Sequence, residues 1–135
     1  MPSSLAKTHY LSNKILDHVL RNTAYTPPAT VYVALFTTAT DKNGGGTEVS
    51  GGGYARQAVT FGATQAGTTG RKVANSADVL FPVATASWGT VTHCAIFDAA
   101  TGGNMLYQGS LEAAKTIGAN DQLKFAAGDL SVEET

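Results

Sequence analysis

Charge is what this sequence has least of: Asp, Glu, Lys and Arg together make up 14% of it, against a usual share of roughly a quarter. The formal net charge is −1. With no basic stripe to neutralise phosphates, and no Lys or Arg interleaved with the aromatic residues, the composition argues against nucleic-acid binding. A single cysteine, Cys94, excludes an intrachain disulfide and with it the disulfide-stapled secreted class. Its apolar neighbours make it a buried, inert thiol. No segment approaches the roughly 20 consecutive apolar residues of a membrane-spanning helix, so no membrane insertion is expected. The first residues also lack the apolar run and cleavage site of a secretory signal.

What stands in place of charge is Thr, Ala, Gly, Ser and Asn. A surface of small neutral residues is readily desolvated, so packing of subunits into a homo-oligomer, such as a trimer, is the expectation. The 135 residues suit one β-rich domain over 1–135.

Along the chain, 4–21 reads as an N-terminal amphipathic docking helix, which would cover one end of a sheet or pack against another subunit. Leu11, Ile15, Leu16, Val19 and Leu20 recur at the spacing of one buried face, with Lys14, Asp17, His18 and Arg21 outward. Ser4 or Ser12 would serve as N-cap. The helix should end before Pro27 and Pro28. Thr30 to Thr37 is then an interior strand, with Val31, Val33 and Leu35 on one side and Tyr32, Ala34 and Phe36 on the other. The glycine clusters Gly44–Gly46 and Gly51–Gly53 lie in a loop and lack the lysine and Ser/Thr ending of a phosphate-binding loop.

Further strands are expected over 54–62, 77–81, 122–126 and 130–132. The polar section 63–76 carries no clear pattern. The most defined stretch is Ser87 to Leu111, a β-hairpin whose reversal is Asp98 to Asn104, with two glycines and an asparagine able to take positive φ. Val91, His93, Ala95 and Phe97 would share one face and Thr92, Cys94, Ile96 and Asp98 the other, with Gly109 marking a bulge or close approach. Trp88 and Phe97 anchor a core or an interface. One helix followed by about seven strands makes the protein mainly β, a single-domain β-sandwich.

The sequence offers no catalytic residue, cofactor site or metal site. His93 and Cys94 are adjacent in a strand and so point to opposite faces. Asp98, Asp121 and Asp129 sit at turns, where carboxylates bond nearby amides. His9 and His18 do not share a helix face.

Six segments taken in order resemble those of the small virion structural proteins of tailed bacteriophages commonly described as phage tail-fibre proteins. They are 13–17, 29–37, 48–56, 88–93, 97–104 and 124–132. The resemblance implies a non-enzymatic structural protein on the tail or capsid surface of a virion, assembled in the bacterial host cytoplasm, that self-associates and attaches to other phage virion proteins. It leaves open a fibre, a short spike, a capsid decoration protein or a tail adaptor. The alternative is recognition of a host surface glycan or protein, with Tyr54, Arg56 and Tyr107 as receptor contacts, joined by Trp88 where its ring is exposed.

Overall fold

A computed structural model describes residues 3–134. The strands are β1 (Ser3–Lys7), β2 (Val31–Phe36), β3 (Gln57–Val59), β4 (Gln65–Ala66), β5 (Arg71–Ala74), β6 (Val79–Leu80), β7 (Gly89–Phe97), β8 (Met105–Ile117), β9 (Lys124–Phe125) and β10 (Leu130–Glu134), with one helix, α1 (His9–Leu20). The protein is mainly β, 40% strand and 9% helical, built as a sandwich-like single domain from a large curled sheet.

The start of the chain corrects the expected helix over 4–21. Ser3–Lys7 is a strand, parallel to β10 and antiparallel to β8, and Leu5 is buried in the core. Filling the slot between β8 and β10 outweighs local helix preference. The N-cap is therefore Thr8, not Ser4 or Ser12: its Oγ1 accepts from the Leu11 amide at 3.4 Å and reaches the Met105 carbonyl at 2.7 Å. The helix ends at Leu20, well before the prolines. Asn22 takes φ +55°, and the Thr23 amide returns to the Asp17 carbonyl at 3.0 Å, a left-handed stop of the kind that satisfies terminal carbonyls.

The main sheet runs β3-β2-β7-β8-β1-β10-β5-β4, and β6 pairs with β9 in a second, two-stranded sheet. The large sheet curls until its ends meet. Beyond β3 the chain pairs with the end of β5 through a Phe61–Asn75 bridge, with the Gly62 amide on the Ala74 carbonyl and the Ser76 amide on the Thr60 carbonyl, both at 2.9 Å. Asn75, 3% exposed, sits at this seam. Its Nδ2 donates to the Ala77 and Ala126 carbonyls and its Oδ1 accepts from the Gly128 and Leu130 amides. One buried amide thus ties three segments together with its bonding capacity filled. Part of the seam lies in the stretch 63–76, which has no readable pattern in the sequence yet holds β4 and β5.

Inside the curl lies the larger core, which includes Val33, Leu35, Phe81, Val91, Cys94, Ile96, Leu111, Phe125, Leu130 and Val132. A smaller cluster, Ala34, Phe36, Ala95, Phe97 and Met105, forms separately, with Phe36 and Phe97 stacked at 6.2 Å. The alternation in β2 is as expected, both sides apolar because each meets a core. In β7 it is not. Val91 joins Cys94 and Ile96 instead of His93, Ala95 and Phe97, because the ladder with β8 shifts register between Val91 and His93, and an irregularity of this kind exchanges faces. A second shift falls between Ile96 and Phe97, while Gly109 simply pairs with Cys94. The return strand of the hairpin runs on to Ile117, through Glu112 to Lys115.

Candidate functional site

The proposed anchors on α1 divide into two groups. Leu11 is buried and Ile15 half-buried, whereas Leu16, Val19 and Leu20 are 54%, 67% and 75% exposed. The N-terminal end of the helix is pinned by Thr8, by Leu11 and by the His9 amide, which donates to the Lys42 carbonyl at 2.8 Å. Leu16, Val19 and Leu20, spaced i, i+3 and i+4, form one apolar face that the rest of the chain leaves uncovered.

Trp88 and Phe97 are both buried in the cores of the chain. Trp88 is 4% exposed, its Nε1 donating to the Gly52 carbonyl at 2.9 Å. The ring lies so close that a Cβ on Gly52, at φ +59°, would meet it at 2.9 Å. Glycine is required there for both backbone angle and approach.

Tyr54 and Arg56 belong to a polar clamp around Glu48. Arg56 grips the Glu48 carboxylate through Nε at 2.8 Å and Nη2 at 2.9 Å, a two-point geometry available to guanidinium. Its Nη1 donates to the Ala99 and Gly102 carbonyls at 2.9 and 2.8 Å, and its guanidinium carbon lies 3.8 Å from the Phe97 ring centroid, within cation–π range. The Tyr54 hydroxyl donates to Glu48 at 2.6 Å and accepts from the Leu35 amide at 3.0 Å. Asp98 closes the same turn by accepting from the Asn104 amide at 2.8 Å. The hairpin reversal is thereby fixed from β2, from the 48–56 segment and from within.

Burial raises the Glu48 carboxyl, but hydrogen bonds from Arg56 and Tyr54 and the guanidinium charge outweigh it, and its pKa lies below the ordinary 4.5. The Tyr54 phenol is pushed up, by burial first and then by the carboxylate it bonds. The sign for stability follows: a depressed carboxyl pKa contributes stability that is complete above the unfolded value and is lost as pH falls through the folded one. In an NMR titration, the Glu48 carboxyl carbon and the amides of 99–102 should move together with a midpoint below 4.5. A midpoint at or above that value would contradict the clamp.

Tyr107 lies elsewhere, packed against the large core, with its hydroxyl 3.0 Å from Glu134 Oε1. Burial, followed by the Glu134 charge, raises its pKa. Glu134 also pairs with Lys7 at 2.6 Å. The structure therefore brings Tyr54 and Arg56 together and sets Tyr107 apart. The Glu48 partner of Arg56 was missed by sequence reasoning, although the i, i+6, i+8 grouping Glu48, Tyr54, Arg56 astride Gly51–Gly53 was there to be read as a loop closed on itself.

His93 Nδ1 contacts Thr92 Oγ1 at 2.8 Å, and Cys94 is fully buried. Among the described residues no three His, Cys, Asp or Glu side chains converge as metal ligands. Among the described residues no helix is long and apolar enough to cross a membrane. Asp121 caps its turn through the Gly118 amide at 2.8 Å.

Residues 6–133 match the family described as Podophage GP4 fiber I protein gp80. The chain belongs to this family of phage tail fibre proteins, which makes it a structural protein of the phage tail. No curated protein matches it.

Proposed function

We propose that the protein is a non-enzymatic fibre subunit that self-associates and attaches to other virion proteins through the exposed face of α1. The observation that carries this reading is the exposure of Leu16, Val19 and Leu20 on one side of a helix whose other end is firmly anchored. The neutral composition and membership of a fibre family support it. A sheet whose ends pair with each other presents little edge for strand addition, so association by a helical face is the route this fold favours.

Light scattering of the isolated chain should give a mass above that of the monomer. Replacing Leu16, Val19 and Leu20 together with serine should return it to monomer while leaving its circular dichroism and melting temperature close to those of the parent. Reconstitution with isolated tails should fail for the same variant. A wild-type chain that stays monomeric and binds no virion component would sink the proposal. Attachment to the tail is favoured over capsid decoration by the family alone. Receptor contact through Tyr54, Arg56 and Trp88 has less behind it, because the functional ends of all three are engaged within the protomer.

A further inference from the structure

Between β5, β8 and β10 an open cavity of about 240 Å³ has Arg71, Lys72, Val73, Tyr107, Val132 and Glu134 in its walls. It is smaller than the roughly 300–1,000 Å³ of sites that take drug-sized ligands, so it suits a single ring. Buried Val132, half-buried Val73 and the Tyr107 ring, all part of or packed on the large core, give it an apolar floor.

The charges above that floor are unevenly committed. Glu134 stands opposite Arg71 in the β10–β5 register, a position where opposite charges ordinarily pair. Its carboxylate is engaged instead by the Lys7 ammonium at 2.6 Å and the Tyr107 hydroxyl at 3.0 Å. Among the described residues, Arg71 is left with no carboxylate partner; Lys72, next to it in β5, projects from the opposite face of the strand, where it stands across from Glu133. One neutralised acid, one uncommitted guanidinium and an apolar floor complement a compact body that carries an acid of its own.

We infer that this cavity binds a carboxylate borne on a single ring. The acid meets Arg71, whose planar fork suits a carboxylate, while the ring lies on Val73, Val132 and Tyr107. An aromatic acid and a sugar acid share this chemistry. The site shares no residue with the exposed face of α1, so its fate is separate from that of the self-association proposal.

A ¹H–¹⁵N NMR titration of the full chain tests it with benzoate and glucuronate, set against benzyl alcohol, glucose and inorganic phosphate. One or both acids should shift the amides of 71–73, Tyr107 and 132–134, and the acid that saturates first identifies the body the cavity prefers. The neutral analogues and phosphate should bind at least about tenfold more weakly, and Arg71→Gln should weaken the acid by about tenfold, as for loss of one charge-assisted contact. If Arg71→Gln perturbs the spectrum as a whole, Arg71→Lys, which keeps the charge but loses the planar fork, is read in its place and should weaken the acid in the same direction. The inference is overturned if neither acid shifts these amides, if phosphate or the neutral analogues match the acids, or if the folded variant binds as tightly as the parent.

Discussion

Replacing Arg56 with alanine should lower stability by about 3 kcal/mol and the melting temperature by on the order of 10 °C. The guanidinium side chain is 8% exposed and Glu48 26%, so the substitution leaves a mostly buried carboxylate without its counter-charge. It also strips the Ala99 and Gly102 carbonyls of their donor. Truncating one member of a buried pair costs roughly 3–5 kcal/mol, and the partial access of water to Glu48 puts this case at the low end. Arg56→Lys should recover only part of the loss, because an ammonium cannot hold both carboxylate oxygens and both turn carbonyls at once. Denaturant unfolding followed by Trp88 fluorescence would measure both. A loss below about 0.5 kcal/mol for Arg56→Ala would place it among ordinary surface substitutions and show that the turn is held by Asp98 alone.

Phe81→Ala should cost still more, about 4 kcal/mol. Phe81 is 0% exposed, stacks on Tyr54 at 6.2 Å and meets Phe125 edge-on at 6.4 Å. It follows β6, whose pairing with β9 is a two-strand ladder only two residues long. So short a ladder has little stability of its own, so its position depends on Val79, Phe81, Leu123 and Phe125 filling the core. Removing the central ring leaves a void that rigid strands on all sides cannot close. Phe81→Leu, which keeps most of the volume, should lose about 1.5 kcal/mol or less. Calorimetry would compare them, and equal losses for the two variants would refute the packing account.

The parts of this fold visible in the sequence are those governed by local periodicity. The two-sided pattern of β2, the turn at Asp98–Asn104 and the pairs Leu123/Phe125 and Leu130/Val132 each follow from residues a few positions apart. The parts not visible depend on distant partners. Ser3–Lys7 is a strand because β8 and β10 leave a gap for it, and nothing within the segment says so. Val91 changes face because the partner strand carries extra residues, which β7 itself does not encode. The polar stretch 63–76 forms part of the seam because Asn75 reaches Ala126 and Leu130, some fifty positions away. Of the residues singled out beforehand, Tyr54 and Arg56 are recognisable as special by type, but their geometry is set by Glu48 and by a turn across the sheet.

The pairing of β1 with β10 has a mechanical consequence. The two strands are parallel, with Ser3 beside Leu130 and Leu5 beside Val132. A pull through the chain entering β1 and the chain leaving β10 therefore draws them lengthwise in opposite directions. Such a pull loads the bonds between them together, in shear, where a hairpin pulled from its open end would yield one bond at a time. Each strand is also held on its far side, β1 by β8 and β10 by β5. Survival under tension is a matter of unfolding rate, and this arrangement sets that rate by the simultaneous rupture of a ladder. In a tail fibre protein, that is where tension along the chain would first be resisted.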